Sequence, residues 1–190
     1  MLSVFDPIRG MDYLSLLIRL LLSVLCGTAI GLERSMKNRP AGFRTHILVC
    51  LGAAVAAVTG HYLYLVLKLP ADVTRLSGQV ITGLGFIGAG TIVVTRKMSI
   101  KGLTTAAGLW TTGIIGLAFG SGYYELGILG TAFVLLIETW LAQLGGNIQG
   151  SPQYVIEVLY SEKTSLDQVL RLCKDKRLII ENLKIHSLEE

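Results

Sequence analysis

The fold of this chain is decided by residues 78–120, which read GQVITGLGFIGAGTIVVTRKMSIKGLTTAAGLWTTGIIGLAFG. They form two glycine-rich apolar runs joined by a short basic loop. Gly83, Gly85 and Gly88 match the pattern G-x-G-x-x-G, which indicates a dinucleotide site only with a strand before it, a helix after it and an acidic residue about twenty positions on. Near the position where this motif requires an acidic residue, the sequence has the basic residue Lys101. Because spaced glycines also let helices pack closely in a bilayer, we interpret residues 78–120 as a membrane helical hairpin.

The composition indicates a membrane protein with a polar tail. Apolar residues make up 52% of the 190 residues, charged residues make up 16%, and the mean hydropathy is +0.60. These values are too apolar for an ordinary soluble domain. Of the thirty charged residues, thirteen follow Pro152. Elsewhere the basic residues cluster in short loops, where they set membrane topology, so the net charge of +4 does not indicate a nucleic-acid partner.

Five membrane-spanning helices are predicted, because five apolar segments approach the roughly twenty residues that cross a ~30 Å hydrocarbon core. They cover residues 13–32, 45–67, 73–95, 102–119 and 126–144. The predicted organisation is a five-span transmembrane domain at 1–147, a linker at 148–153 and a cytoplasmic tail at 154–190. Arg19, the one charge in the first span, lies close enough to its start to extend its guanidinium to the lipid bilayer interface.

The loop charges predict the orientation in the membrane. The first loop carries Arg34, Lys37, Arg39 and Arg44, and the third loop carries three further basic residues. The second and fourth loops carry few or none. By the positive-inside rule, the N-terminus is outside and the C-terminal tail is cytoplasmic.

The tail at 154–190 has the pattern of a β-α-β unit. The segment YVIEVLY alternates like a strand, SLDQVLRLCKD has helical spacing, and LIIENLKI is again strand-like. A unit of this length buries too little apolar surface to be stable alone. We therefore predict that it pairs with a second copy, a homo-oligomer in which a dimer is favoured, or docks on another membrane protein complex.

Small residues recur at every fourth position in several predicted spans, and such rows allow close helix packing in a membrane. The first span contains Ser23, Gly27, Gly31 and Ser35, and the fourth contains a longer row between residues 104 and 120. The glycines predicted to pack helices together are Gly27, Gly31, Gly83, Gly85, Gly88, Gly90, Gly108 and Gly116.

Three separated blocks resemble the MgtC/SapB family of bacterial inner-membrane proteins. They are GLERSMKNRPAGFRTHILVCLGA at 31–53, GLGFIGAGTI at 83–92 and GLTTAAGLWTTGIIGLAFG at 102–120. The resemblance implies a multi-pass protein of the bacterial cytoplasmic membrane that acts in adaptation to low magnesium and, in pathogens, in virulence through survival inside host cells. It also implies an ACT-like C-terminal domain, of which this tail contains only about half.

Glu138 is the first candidate for chemistry, because a carboxylate at membrane depth is costly and usually faces a polar interior or an ionisable partner. At ~1.5 Å per residue it lies about 9 Å from the cytoplasmic end of its predicted span, where Arg34, Arg44 or His46 could reach it. A structural ion pair and a functional site are both open interpretations.

A second candidate site lies at the cytoplasmic ends of the first two spans. The blocks GLER and AGFRTH bring together Glu33, Arg34, Arg44, Thr45 and His46. Glu, His and hydroxyl groups could bind Mg²⁺ or another divalent cation, since Mg²⁺ prefers carboxylates together with retained waters. The alternative is a loop that sets topology, in which Glu33 offsets the basic charge. No other cofactor is predicted.

On the outer side, Asp72, Arg75 and Gln79, together with Glu125, could form an ion-binding site. Asp72 is equally consistent with a helix cap that faces Arg75 on the next turn. Gln79 could instead form a hydrogen bond with another helix.

Two classes of function fit these residues. The sequence contains no catalytic triad, phosphate loop or zinc motif, and no paired general acid and base, so the chain is not predicted to be an enzyme. A transporter or channel for Mg²⁺ or another ion, using Glu138 and flanking polar residues, requires several oxygen ligands along a path. A modulator of other membrane proteins requires packing ridges, which are plentiful. We favour the modulator.

Overall fold

The computed structural model describes residues 2–70, 72–94, 100–141 and 163–176. The chain divides into two compact units, Met1–Gln149 and Gly150–Glu190. In its described part, the first unit consists of helices and one short β-hairpin, and the second contains a helix.

The first unit begins with a 3₁₀ helix at Ser3–Ile8 and continues with five α-helices. Their bounds are Tyr13–Met36 (α1), Phe43–Leu65 (α2), Arg75–Thr91 (α3), Leu103–Gly120 (α4) and Tyr124–Leu136 (α5). A π-helical turn at Ile137–Leu141 extends α5. Strands β1 (Val93–Val94) and β2 (Ile100–Lys101) pair in antiparallel orientation between α3 and α4.

Three of these helices, α1, α2 and α4, are long and apolar enough to cross a membrane. They correspond to the spans predicted at 13–32, 45–67 and 102–119. Helices α3 and α5 contain 17 and 13 residues, fewer than the spans predicted at 73–95 and 126–144. The structure therefore agrees with a helical membrane protein. Among the described residues, three helices rather than the predicted five have the length and composition of a membrane span.

Helix α3 ends earlier than predicted because the chain turns into the β-hairpin. Ile92 already has extended backbone angles, with φ −89° and ψ 121°. Gly102, where the chain enters α4, has φ +96°, and a Cβ at this position would collide with the carbonyl oxygen of Thr91. Only glycine adopts this conformation at such close approach without strain, so Gly102 allows the hairpin to return into α4.

The second unit contains α6, at Lys163–Asp175. It corresponds to the helix predicted within the β-α-β tail. The two strands predicted on either side of it lie outside the described residues.

Helix α4 lies at the centre of the first unit, in contact with α1, α2, α3 and α5. Its residues Gly116 and Gly120 face α2, and a Cβ at either position would collide with a backbone carbonyl oxygen of α2. Since lipid tails are as apolar as the helices, association in a bilayer depends on such close van der Waals contact. The glycines of α4 therefore set the distance between α4 and α2.

Helix α1 packs near the N-terminal end of α2 through its own small residues. A Cβ at Gly27 would lie 2.9 Å from the carbonyl oxygen of His46, and one at Gly31 would lie 2.8 Å from Cα of Phe43. The hydroxyl of Ser35 accepts a hydrogen bond from the backbone N–H of Phe43 at 2.9 Å. The small-residue row of α1 thus both packs on α2 and satisfies a free N–H group at the start of α2.

Only part of α3 packs within the described chain. Its buried residues are Leu84 and Gly88, and a Cβ at Gly88 would lie 3.4 Å from an α4 side chain. A Cβ at Gly83, Gly85 or Gly90 would meet nothing within 4 Å. The packing predicted for these three glycines is not made between the described helices, because α3 contacts α4 along its Leu84 and Gly88 side.

Candidate functional site

A polar cluster lies where the C-terminal end of α1 meets the N-terminal ends of α2 and α4 and the π-helical turn after α5. We call it the Arg34 cluster, and it consists of Arg34, His46, Thr105 and Glu138. The first three side chains are buried, and that of Glu138 is 14% exposed. Four elements that are distant in sequence thus bring polar groups into a mostly apolar helical bundle.

Arg34 is the central group of this cluster. Its Nη1 donates to Oε2 of Glu138 at 2.9 Å, and its Nη2 donates to Oγ1 of Thr105 at 2.8 Å. The Arg34 side chain is only 2% exposed. Because a buried charge is costly unless an opposite charge and further hydrogen bonds compensate it, Arg34 and Glu138 depend on each other. Among the basic residues predicted to reach Glu138, Arg34 is the one that pairs with it.

The π-helical turn at Ile137–Leu141 positions Glu138. Such turns change the direction of the side chains within an otherwise α-helical segment and are frequent at functional sites. Lys37 Nζ donates to the backbone carbonyl oxygen of Glu138 at 2.5 Å. The end of α1 therefore contacts both the side chain and the backbone of Glu138.

His46 is fully buried beside this ion pair. Its Nδ1 lies 3.0 Å from the carbonyl oxygen of Gly42, so Nδ1 carries the proton in the neutral ring and Nε2 is a free acceptor. Nε2 has no hydrogen-bond partner in the described part of the chain. A Cβ at Gly108 would lie 3.7 Å from Oε1 of Glu138 and 4.0 Å from His46 Nε2. Gly108, predicted to pack helices, instead borders both polar groups.

The other three residues predicted at this end of the chain lie outside the Arg34 cluster. Oε1 of Glu33 is 2.6 Å from Nζ of Lys37, without the alignment of a hydrogen bond. Arg44 is exposed and Thr45 is half-buried, and both line a groove between α2 and α3. Because successive helical residues are rotated by about 100°, Arg44 and His46 face in nearly opposite directions.

The outer residues do not form the predicted ion-binding site. Oδ1 of Asp72 accepts hydrogen bonds from the hydroxyl of Thr74 at 2.7 Å and from its backbone N–H at 2.8 Å. These two hydrogen bonds, the one from the hydroxyl more than the one from the backbone, lower the pKa of the Asp72 carboxyl from its usual value. Asp72 therefore closes a turn ahead of α3 and does not cap the helix. Arg75 and Gln79 are exposed, and in the described part of the chain their side chains make no hydrogen bond.

A second polar cluster surrounds Arg19, near the start of α1. The Arg19 side chain is buried and donates to the carbonyl oxygens of Gly120 at 2.9 Å, Arg9 at 2.6 Å and Gly10 at 2.8 Å. Its guanidinium is covered by protein instead of extending to the membrane interface as predicted. The sequence does show that Arg19 is the one charge in an apolar helix. It does not show what Arg19 binds, because backbone carbonyl oxygens are present at every residue and give no sequence pattern.

Glu125 belongs to this second cluster and not to the site predicted around Asp72. Its Oε1 accepts a hydrogen bond from Nη2 of Arg9 at 2.5 Å, and Arg9 also donates to the carbonyl oxygen of Gly122 at 2.7 Å. The hydroxyl of Tyr124 donates to the carbonyl oxygen of Ile8 at 2.6 Å. These bonds hold the N-terminal segment against the turn between α4 and α5.

The donor set of the Arg34 cluster does not fit a resident Mg²⁺ ion. Within the described ranges, no group of three or more His, Cys, Asp or Glu side chains is placed to hold a metal. Glu138 is the one carboxylate of the cluster, and the guanidinium of Arg34 already lies 2.9 Å from it. A divalent cation at Glu138 would be repelled by this guanidinium and by the nearby ammonium of Lys37.

The fold and the buried ion pair define a polytopic helical membrane protein. The model of the MgtC family matches residues 20–146. The chain therefore belongs to the MgtC family, which confirms the resemblance seen in the three sequence blocks.

Named relatives agree with this assignment. SapB of Bacillus subtilis (strain 168) is 30% identical over 183 residues, which cover 92% of this chain and 79% of SapB. MgtC of Salmonella typhimurium (strain LT2) is 29% identical over 177 residues, covering 88% of this chain and 74% of MgtC. YhiD of Escherichia coli (strain K12), a proposed magnesium transporter by name, is 47% identical over 104 residues, covering 53% of this chain and 48% of YhiD. The chain thus spans about half the length of YhiD, and no solved structure matches it significantly.

The Arg34–Glu138 pair leads to a prediction for stability. Arg34→Met leaves the Glu138 carboxylate buried and unpaired, and loss of one partner of a buried pair costs about 3–5 kcal/mol. We expect the thermal unfolding temperature of the purified protein in detergent, followed by tryptophan fluorescence, to fall strongly. Adding Glu138→Gln to the same chain removes the unpaired charge and recovers part of the loss.

Arg39→Met is the matched control, because Arg39 is exposed and makes no ion pair in the described part of the chain. It is expected to leave the unfolding temperature unchanged. A double variant no more stable than Arg34→Met would show that the two side chains are not energetically coupled.

Proposed function

We propose that this MgtC-family protein modulates other proteins of the bacterial inner membrane during adaptation to low magnesium. The observation that carries the proposal is the pairing of Glu138 with Arg34 at 2.9 Å. The carboxylate at membrane depth is compensated inside the protein and is not presented to a passing ion. Its role is to join helices, which suits a protein that acts through its surfaces.

The buried hydroxyl groups also argue against an ion path. Thr112 and Thr131 donate to backbone carbonyl oxygens of their own helices, at 2.8 Å each. Thr105 accepts from Arg34. A Mg²⁺ pathway needs several oxygen ligands along its length. The Thr105 oxygen lies next to the Arg34 guanidinium, which would repel a cation.

The exposed face of α3 supports a role in binding another membrane protein. Gly85 is open, and Ile81, one turn before it on the same face, is 38% exposed. Small residues beside a large apolar one allow a second helix to approach closely in a membrane. We infer that this face of α3 contacts a partner, either another membrane protein complex or a second copy of the chain, with a dimer favoured.

We further propose that α3, and α5 with its π-helical turn, also cross the membrane, so that the first unit has five spans. Residues Tyr124–Leu141 make 18 residues, and α3 with the following hairpin reaches past Thr91. The basic loops after α1 and α3 favour a cytoplasmic location for both. The N-terminus then lies outside and the C-terminal unit lies in the cytoplasm.

Ion transport is the alternative function, favoured by the name of YhiD and by the membrane depth of Glu138. It has a direct test in liposomes that contain only the purified protein and a magnesium-sensitive dye. We expect no magnesium entry above empty liposomes, because Arg34 blocks the deep carboxylate. Robust entry that disappears in Glu138→Gln would overturn the modulator proposal.

The partner-binding face has its own test. In bacteria grown at low magnesium, chemical cross-linking followed by denaturing purification of the tagged chain should recover a multi-spanning membrane protein. Gly85→Leu, which fills the exposed face of α3, is expected to abolish this recovery. Gly52→Leu on α2 is the matched control, since a Cβ there also meets nothing within 4 Å.

Recovery that is equal for both variants would exclude the α3 face as the partner surface. Recovery of this chain alone, lost in Gly85→Leu, would identify that face as the contact between two copies.

The orientation is tested with reporter fusions at the C-terminus. A cytoplasmic C-terminus makes green fluorescent protein fluorescent there and leaves alkaline phosphatase inactive, because the phosphatase requires export to form its disulfides. An active phosphatase fusion and a non-fluorescent green fluorescent protein fusion would place the C-terminus outside. This result would contradict the proposed orientation, in which an odd number of spans starts from an N-terminus outside.

A further inference from the structure

An apolar groove of about 690 Å³ lies between α2 and α3. Its volume falls within the roughly 300–1,000 Å³ that is typical of ligand sites. Apart from its end at Arg44 and Thr45, the lining is apolar, with Leu48 from α2 and Val80 and Ile87 from α3 among its residues. The Arg34 cluster lies outside this groove.

Two glycines keep the groove open. Gly52 of α2 and Gly83 of α3 both line it, and a Cβ at either position would meet nothing within 4 Å. Leu84 packs against Gly113 of α4, and Val80 packs against the cluster that contains Ala53 and Ala57 of α2. The space beside Gly52 and Gly83 is therefore not filled by the packing of the described chain.

The groove is polar at one end only. Arg44 and Thr45 are in the first turn of α2, and the α2 lining extends from there to Ala53. At ~1.5 Å per residue this distance is about 13 Å, close to the depth of one leaflet of a ~30 Å hydrocarbon core. The groove thus combines a cationic group at the membrane surface with an apolar path of one leaflet's depth.

The cationic end is suited to bind a phosphate. Arg44 is exposed and makes no ion pair within the described ranges. The cap residue of α2, Gly42, provides no side chain to the first-turn N–H groups. The N–H of Phe43 donates to Ser35, and the other N–H groups of this helix start favour an anion. Arginine pairs well with phosphate because its planar guanidinium can donate two parallel hydrogen bonds.

We propose that this groove binds one anionic phospholipid, with the phosphate at Arg44 and an acyl chain between α2 and α3. A helix from a second copy would cover Arg44 and remove its charge from water, at a cost that a phosphate avoids. The inference requires only that α2 crosses the membrane and does not depend on the modulation of other proteins.

The lipid is identified by titrating the delipidated full chain, in neutral detergent, with phosphatidylglycerol or phosphatidylcholine of identical acyl chains. Native mass spectrometry measures the affinity of the first bound lipid. One arginine near the membrane surface contributes about 1 kcal/mol to anionic lipid binding, so we expect roughly five-fold tighter binding of phosphatidylglycerol. Arg44→Gln is expected to abolish this preference, and Arg39→Gln, outside the groove, to retain it.

Equal affinities of the two lipids for the unmodified chain would overturn the proposal. An equal loss of preference in both arginine variants would also overturn it, because it would reveal general attraction to basic loops. Both arginines are exposed, so neither variant is expected to disturb folding.

A second pair of variants tests the apolar part of the groove. Gly83→Leu fills it and is expected to remove the tight phosphatidylglycerol site, whereas Gly85→Leu, outside the lining of the same helix, is expected to leave it intact. Unchanged lipid binding in Gly83→Leu would overturn the proposal. If Gly83→Leu lost dimers and kept its lipid binding, the groove would be a contact between two copies, and the lipid proposal would be overturned.

Discussion

The ion pair between Arg34 and Glu138 is the interaction on which the arrangement of the helices depends. It joins residues 104 positions apart, at the end of α1 and in the π-helical turn after α5. Because both charges lie inside the bundle, the pair is favourable only with the remaining donors satisfied. Thr105 at the start of α4 accepts from Nη2 of Arg34, and Lys37 at the end of α1 donates to the backbone carbonyl oxygen of Glu138. A shift of α1 or of the π-helical turn would therefore leave a charge unpaired, and a shift of α4 would remove the Thr105 acceptor.

Packing around this pair relies on close approach of backbones. Gly27 and Gly31 of α1 pack on the first turns of α2, and Gly116 and Gly120 of α4 pack on the turns that follow. In a bilayer there is little hydrophobic gain when one apolar helix leaves lipid for another, so contact between backbones carries more of the stability. The Arg19 cluster closes the other end of the bundle, where a buried cation is satisfied by carbonyl oxygens instead of a carboxylate.

The proposed activities follow from the contrast between the interior and the surface. Inside, the titratable groups of the Arg34 cluster are mostly paired, which disfavours ion passage. Outside, α3 presents open glycines and a groove with a cationic end, surfaces suited to a protein partner and to an anionic lipid. Two buried nitrogens of this cluster, Nε2 of His46 and Nε of Arg34, have no hydrogen-bond partner among the described residues.

The sequence by itself determined the class of protein, the helices α1, α2 and α4, the family, and the presence of a charge, Glu138, within an apolar run. Runs of apolar residues and a charge within them are local properties. Tertiary structure decided which cation pairs with Glu138, since Arg34, Arg44 and His46 were all predicted near its depth at the cytoplasmic end of the spans. It also decided that Gly88, and not Gly83, Gly85 or Gly90, packs on α4, and that α3 ends at a hairpin. Helical periodicity specifies which residues share a face, but only the placement of neighbouring helices specifies what that face contacts.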